Sequence, residues 1–224
     1  MYEDLLKAEK ILLNRGIKIN DPWDIVEGFE KIVSEYAGSK YAVAVDSCTN
    51  AMFLCLKYLN ARGNITIPSK TYLSVPQLII HAGCHPVFVD EEWRGTYFLK
   101  PYPVIDSATR FTKGMYVKGS YQCLSFHIRK ILPIAKGGMV LTDDKKAYEW
   151  LKEAEYEGRD RRVPHDEMPE PKICGWNMYM PPEQAARGII LFSNLSEVND
   201  DCGGSYKYKD LSTYKIFNNE SYND

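Results

Sequence analysis

Apolar residues recur along the chain with two spacings, one typical of helices and one typical of short buried strands. In residues 22–36, PWDIVEGFEKIVSEY, they recur every three or four positions, which predicts a helix that ends at Gly38. The next run, KYAVAVDS, is short and apolar between polar residues, which is typical of a buried strand. Further strands are predicted at NITIP, HPVFVD, YPVID, CLSF and GGMVLTD, and further helices at TNAMFLCLKYLNARG, YLSVPQLIIHAG, KKAYEWLKEAEYEG and PPEQAARGIILFSNL. This alternation predicts an α/β domain with a mostly parallel central sheet flanked by helices.

Two segments lack either spacing. Residues 159–171, RDRRVPHDEMPEP, are charged and rich in proline, and they predict a loop. Residues 196–224 are polar and rich in Asn, Asp, Ser and Tyr, and they predict a tail that is weakly ordered or docks only in part. We therefore divide the chain into a domain at residues 1–195 and a polar tail at residues 196–224.

Charge and cysteine content narrow the classes of ligand. The chain has 28 Lys+Arg and 30 Asp+Glu, a formal net charge of -2, so we expect neither nucleic acid nor a membrane as partner. The 6 cysteines form no C-x2-C pair, so we expect no metal site and mostly buried free thiols in a reducing compartment. No signal-peptide pattern begins the chain, and no apolar run approaches the roughly 20 residues that span a bilayer. We expect a cytoplasmic location.

Candidate chemistry follows the ends of four predicted strands, where ligands bind in a parallel α/β sheet. Ser47 or Thr49 would cap the helix after YAVAV, and this helix start suits a phosphate as well as an ordinary cap. Tyr72, after NITIP, offers a ring for a planar cofactor or packs on its own domain. Asp106, after YPVI, fits a partner for a ring nitrogen or a turn residue. Lys130, after CLSF, fits a surface charge or a Schiff-base amine.

Four segments, taken in order, resemble the DegT/StrS family of pyridoxal-phosphate sugar aminotransferases. The segments are FEKIVSEYAGSKYAVAVDSCTNAM, ITIPSKTYLSVPQLIIHAGCHPVFVD, SFHIRKILPIAKGGMVLTDD and GWNMYMPPEQAARG. The resemblance runs from about Pro22 to Leu195 and implies the large domain of the fold-type I aminotransferase architecture. Because residues 196–224 are few, we expect the C-terminal small domain of the family to be largely absent.

The resemblance implies a catalytic centre with pyridoxal 5'-phosphate as cofactor. Lys130 would hold the cofactor as a Schiff base and then move protons, while Asp106 would keep the pyridine nitrogen protonated. Tyr72 would stack on the ring, and Thr109 stands at a position near the cofactor. A lysine nucleophile that also moves protons, combined with an electron sink, is what transamination requires. In this family the amino donor is usually glutamate, and the acceptor is a nucleotide-linked keto-sugar.

The same resemblance implies a phosphate site and a subunit contact. Ser125 would bind the cofactor phosphate through its hydroxyl, and Thr49 and Asn50 would bind it through the turn and the helix start. Asn177 matches an asparagine that reaches the cofactor phosphate of the neighbouring subunit. A homodimer is therefore implied.

Some positions depart from the family pattern. Cys48 replaces a glycine in the phosphate turn, where we expect its side chain either to crowd the phosphate or to force a strained backbone. Tyr179 replaces an arginine, and Arg129 precedes the lysine where threonine is frequent. Three alternatives stay open: a cofactor-binding or partner-binding subunit without turnover, another pyridoxal-phosphate reaction, and a nucleotide-binding module without pyridoxal.

Overall fold

The computed structural model describes residues 2–218, and the predicted helices and strands are all present there. The helices are α1 (Tyr2–Asn14), α2 (Trp23–Ala37), α3 (Cys48–Tyr58), α4 (Ser74–His81), α5 (Lys145–Ala154), α6 (Pro182–Phe192) and α7 (Lys215–Asn218). The strands are β1 (Tyr41–Val45), β2 (Asn64–Pro68), β3 (His85–Val89), β4 (Tyr97–Phe98), β5 (Val104–Asp106), β6 (Tyr121–Ser125) and β7 (Gly138–Thr142). Helices α1 and α7 and strand β4 were not predicted. No helix in the described residues is long and apolar enough to cross a membrane.

The strands form one sheet in the order β1-β7-β6-β5-β4 and a second sheet of β2 and β3. Within the larger sheet β5 and β6 are parallel, and the other neighbours are antiparallel. Thr66 of β2 and Lys100, just after β4, exchange two backbone hydrogen bonds of 2.8 and 3.1 Å, which join the two sheets. These pairings give β1, β2, β3, β5 and β6 one direction. The α/β class is confirmed, but the sheet is mixed rather than mostly parallel in its pairings, because β7 and β4 run against their neighbours.

The larger sheet lies between two apolar cores. Ala42 and Ala44 of β1 face the core formed with α1, α2 and α6, whereas Val43 and Val45 face the core formed with α3, α4 and α5. Successive side chains of a strand point to opposite faces, and here both faces are covered. This double burial explains why YAVAV is a continuous apolar run.

One edge of the sheet collects the loops that carry the candidate chemistry. Strands β1, β2, β5 and β6 end at this edge because they share a direction, and β7 begins there. Lys130 lies in the loop at residues 126–137, which joins the antiparallel pair β6 and β7. A Cβ on Gly138 would lie 2.3 Å from the carbonyl carbon of Ser47 and 2.4 Å from the nitrogen of Cys48. The start of β7 therefore lies directly against the first turn of α3.

The polar tail docks on this same edge. Its backbone bonds to residues far away in sequence, and the described contacts are Cys202 N to Thr109 O (2.9 Å), Gly95 N to Gly203 O (3.1 Å), Ser205 N to Trp93 O (3.0 Å) and Leu211 N to Ser69 O (2.9 Å). Residues 202–211 therefore dock on the domain, which is the second of the two alternatives expected for the tail, because these partners supply the backbone hydrogen bonds that a polar segment needs. Residues 219–224 lie outside the described residues, and the predicted domain boundary at residue 195 stays a prediction.

A buried group of charges ties α2 and α5 to the loop after α5. Lys152 Nζ lies 2.9 Å from Glu30 Oε2, and Arg161 Nη1 lies 3.2 Å from Glu155 Oε1. The second carboxyl oxygen of Glu155 is buried without a hydrogen-bond partner. Burial raises the pKa of Glu155 to about 8, despite the opposing charges of Lys152 and Arg161.

Candidate active site

A cavity of about 770 Å³ opens at the strand edge that carries Lys130. Six of the eight positions predicted from sequence line it: Thr49, Tyr72, Asp106, Thr109, Ser125 and Lys130. Asn50 and Asn177 are not among the lining residues. The common direction of the strands thus brings together side chains that are far apart in the sequence.

Asp106 is the buried acid of the cavity and lies at the last position of β5. Its Oδ2 accepts a hydrogen bond of 2.7 Å from the Tyr97 hydroxyl, and its Oδ1 accepts one of 2.8 Å from the backbone N–H of Ala108. Burial raises the pKa of Asp106, while these two donors and the charge of Lys130 oppose the rise. A cation beside this carboxyl would favour its charged form further, which is the environment that a protonated ring nitrogen needs.

Lys130 is half-buried within the loop between β6 and β7, which folds back on itself. Phe126 N donates to Gly137 O at 2.8 Å, Ile128 N donates to Ala135 O at 3.1 Å, and Lys130 N donates to His127 O at 2.8 Å. In the described residues the Lys130 side chain forms no ion pair. An amine without a fixed carboxylate partner is free to react with a carbonyl carbon.

Hydroxyl groups surround the first turn of α3. Ser47 caps this helix by accepting a hydrogen bond from the backbone N–H of Asn50 at 3.2 Å, and the Thr49 and Ser74 hydroxyls lie 2.7 Å apart. The first N–H groups of a helix have no partner within it, and the helix dipole favours a phosphate there. The Asn50 side chain donates to Asp46 Oδ1 at 2.7 Å, so both its side-chain amide and its backbone N–H have partners within the domain.

The departures from the family pattern have local structural partners. The Cys48 thiol lies 3.4 Å from the carbonyl oxygen of Cys123 in β6, so its sulfur is directed into the domain. Burial raises the pKa of the Cys48 thiol well above its usual range. The Tyr179 ring lies 5.6 Å from the ring of Trp23 in an edge-to-face contact. Both residues therefore pack within the domain.

Aromatic side chains that the sequence did not indicate form one wall of the cavity. Trp93 packs on Tyr97 with ring centroids 4.8 Å apart, and Tyr208 of the tail stacks on Trp93 at 5.8 Å. Tyr72 is 61% exposed, and its ring lies 6.4 Å from that of Tyr208. No local pattern marks Tyr97, because its strand is only 2 residues long.

Two of the predicted positions have other contacts. The Thr109 hydroxyl lies 3.0 Å from Gly95 O and 3.2 Å from Gly203 O, so it binds the docked tail. Asn177 is exposed and donates to Glu157 Oε1 at 3.0 Å. An exposed position suits the subunit contact predicted for Asn177, which stays a prediction.

These residues fit pyridoxal 5'-phosphate by chemistry and by space. A buried carboxyl suits its ring nitrogen, an unpaired lysine its carbonyl carbon, and the hydroxyl-lined start of α3 its phosphate. Glycine at position 138 keeps that helix start free of an additional side chain. The α/β fold with this cavity defines the cofactor domain of a fold-type I aminotransferase.

The comparisons with known proteins agree with this class. The model of the DegT/DnrJ/EryC1/StrS aminotransferase family matches residues 6–118 and 116–203, and the chain belongs to this family. The aminotransferases of the family bind pyridoxal 5'-phosphate.

Similar proteins cover most of this chain but are longer. The spore coat polysaccharide biosynthesis protein SpsC of Bacillus subtilis is 26% identical over an alignment of 236 residues. The match covers 81% of this chain and 60% of SpsC. DesI, solved in the presence of its TDP-sugar product, superposes with a TM-score of 0.64 at 20% identity over 88% of this chain and 59% of DesI. NtdA of Bacillus subtilis, solved with the cofactor PMP, gives a TM-score of 0.62 at 20% identity over 84% of this chain and 52% of NtdA. The chain thus spans about three fifths of the length of SpsC.

Proposed function

We propose that the protein is a pyridoxal-phosphate-dependent aminotransferase that moves an amino group, from glutamate, to a nucleotide-linked keto-sugar. The observation that carries this proposal is that Lys130 and the buried carboxyl of Asp106 line one cavity with the start of α3. Family membership supports the cofactor class, and the TDP-sugar product of DesI supports the acceptor class.

Each residue of the centre has a separate task in this proposal. When bound, the cofactor would supply an electron sink. The Lys130 amine would hold the cofactor and would also move the proton that the amino donor gives up. Asp106 would hold the ring nitrogen protonated, and the Tyr97 hydroxyl and the Ala108 N–H favour the charged form of Asp106 against the effect of its burial.

The remaining residues position the cofactor. Ser47, Thr49 and Ser125 offer hydroxyls, and the first turn of α3 offers backbone N–H groups, for the phosphate. The Tyr72 ring covers one side of the cavity where a planar ring would lie. We include a homodimer in the proposal because exposed Asn177 is the position expected to serve a neighbouring subunit.

Covalent trapping tests the proposal. The protein is incubated with pyridoxal 5'-phosphate and borohydride, digested, and analysed by mass spectrometry. We expect the adduct on Lys130, its loss in Lys130→Ala, and its retention in Lys136→Ala, whose side chain lines the same cavity but pairs with Asp46 at 3.0 Å. An adduct spread over several lysines, or none, contradicts the proposed centre.

Spectroscopy then separates turnover from simple binding. Addition of glutamate to the loaded protein is expected to bleach the yellow absorbance, and a TDP-linked keto-sugar is expected to restore it. A trapped adduct on Lys130 without any response to amino donors favours a cofactor-binding subunit without turnover. Light scattering of the loaded protein checks the proposed homodimer.

A further inference from the structure

The docked tail completes the cavity rather than merely covering the domain surface. Four described residues of the tail line the cavity, and they are Cys202, Gly203, Lys207 and Tyr208. The tail therefore contributes side chains to whatever the cavity binds.

The docking of the tail is specific in its steric fit. A Cβ on Gly204 would lie 2.6 Å from the backbone oxygen of Trp93, so a side chain at this position would force the two segments apart. Arg110 holds the tail from the other side through two hydrogen bonds to Asp201, of 2.8 and 2.7 Å. Paired donors of this kind fix orientation as well as distance.

Docking places the Tyr208 ring inside the aromatic wall. The ring stacks on Trp93 with an interplanar angle of 23° and meets Tyr72 edge to face. Burial, followed by the charge of Asp106, raises the pKa of Tyr208 to about 12, so its hydroxyl stays protonated. The tail thus presents an apolar ring face and a hydrogen-bond donor to the cavity.

Docking also adds a cation to a wall that already carries several. The residues that line the cavity include four cations, which are Arg129, Lys130, Lys136 and Lys207. Within residues 2–218 the only carboxylate among the lining residues is that of Asp106. Lys136 is neutralised by Asp46, whereas neither Arg129 nor Lys207 has an ion pair in the described part of the chain. Lys207 Nζ donates to the carbonyl oxygen of Cys202 at 2.7 Å, which orients it without neutralising it. Uncompensated cations beside aromatic rings suit an anion that is linked to a planar group.

We propose that Lys207 and Tyr208 bind the nucleoside diphosphate portion of the substrate, with Lys207 on the phosphates and Tyr208 against the nucleoside. The inference rests on the proposed function, because it assigns the substrate end of the same cavity. The proposed function assigns the cofactor phosphate to the start of α3, which leaves the charge of Lys207 for a second anion. A diphosphate fits the unpaired cations better than a single carboxylate, because it carries more charge.

Equilibrium binding of thymidine diphosphate to the cofactor-loaded full chain tests the role of Lys207. We expect Lys207→Gln to weaken binding about tenfold or more, the loss typical of one charge-assisted hydrogen bond, and to reduce the salt dependence of binding. Lys209→Gln, an exposed lysine two positions away that does not line the cavity, is expected to stay within about twofold of the parent protein by the same measure. The affinity of Lys207→Gln for pyrophosphate is expected to fall to a similar extent.

A second pair of variants tests the ring. Tyr208→Leu is expected to lower the affinity for thymidine diphosphate about tenfold, because the ring contacts the nucleoside. The affinity for pyrophosphate, which has no nucleoside, is expected to stay within about twofold of that of the parent protein. Tyr214→Leu, on the same tail but away from the cavity, is the matched control. Circular dichroism of each variant verifies that the fold is kept.

Three results overturn the inference. They are unchanged affinity for thymidine diphosphate in folded Lys207→Gln, equal losses in the two lysine variants, and a Lys207→Gln variant that loses pyridoxal 5'-phosphate instead, which would assign Lys207 to the cofactor phosphate. Failure of the proposed function looks different. In that case no borohydride adduct forms on Lys130, whereas the titrations of the unloaded protein still report whether Lys207 and Tyr208 bind the nucleotide.

Discussion

The contact between Gly138 and the start of α3 gives a sharp test of the site geometry. In Gly138→Ala the new methyl carbon would lie 2.3, 2.4 and 2.5 Å from the carbonyl carbon of Ser47, the nitrogen of Cys48 and the carbonyl oxygen of Ser47. All three atoms belong to the backbone, so no side-chain rotation relieves the clash. Ordinary contacts need about 1 Å more, and the first turn of α3 must shift by about that distance.

The energetic cost of Gly138→Ala is that of overpacking, because only a backbone shift relieves the close contacts. Overpacking of this sort costs about 1–3 kcal/mol of unfolding free energy. Gly114→Ala is the matched control: its φ of +69° strains an alanine, but its Cβ would meet nothing within 4 Å. That conformational strain costs about 1–2 kcal/mol. Urea unfolding alone therefore does not separate the two variants.

Affinity for pyridoxal 5'-phosphate does separate them. A shift of the helix start removes at least one hydrogen bond to the cofactor phosphate, so we expect Gly138→Ala to bind the cofactor about tenfold more weakly or worse. Gly114→Ala is expected to bind within about twofold of the parent, because it lies outside the cavity. Absorbance titrations with pyridoxal 5'-phosphate measure both. Equal dissociation constants for the two variants would refute the placement of the phosphate at α3.

Three further variants test the charges around the site and the core. Tyr97→Phe removes the 2.7 Å hydrogen bond to Asp106, so the pKa of that carboxyl is expected to rise further. We expect cofactor binding to weaken about tenfold, and a titration of cofactor binding against pH should show that the lowest pH at which the cofactor binds moves upward. Glu155 has a pKa of about 8 when folded against 4.5 as its ordinary value, so the folded state holds the extra proton between these pH values. Unfolding free energy should therefore fall as pH rises through this window, by up to about 1.4 kcal/mol per unit, and Glu155→Gln should flatten that slope whereas Glu153→Gln should not. Arg110→Ala removes the paired hydrogen bonds to the tail and is expected to increase proteolysis within residues 200–211, and an unchanged cleavage rate would count against docking by this pair.

The sequence predicted most of the elements and the convergence of the candidate site residues, because both follow local or directional rules. Apolar spacing marked helices α2 to α6 and strands β1 to β3 and β5 to β7, since burial against the core requires it, as the run YAVAV illustrates. Helix α1 was missed. Asp106 and Lys130 were predicted to converge because strand ends of common direction share an edge, and in the structure they line the same cavity. The sequence did not reveal that β7 is antiparallel to both of its neighbours. Because β6 ends and β7 begins at that edge, the loop that carries Lys130 still lies there.

Contacts between distant segments carried no pattern that a sequence reveals. Strand β4 has 2 residues, too few for a period, so the hydrogen bond from Tyr97 to Asp106 was missed. The tail is polar throughout, yet it docks through backbone groups, and backbone groups are the same for every residue but proline. Its Tyr208 therefore became a cavity residue that no spacing had indicated.

Few backbone hydrogen bonds attach the two-stranded sheet of β2 and β3 to the rest of the fold, although Ile65 and Ile67 of β2 are buried in the core with α3 and α4. Apart from the Thr66–Lys100 pair, the tail holds it through Leu211 N to Ser69 O and through the Phe217 ring, 5.8 Å from that of Phe88. We expect a segment that is attached by few backbone hydrogen bonds to open as a cooperative unit in hydrogen exchange. The amides of β2 should then share one opening free energy with the tail, and release of the tail would free the segment that carries Tyr72. We therefore expect the aromatic cover of the cavity and the docked tail to belong to one cooperative unit.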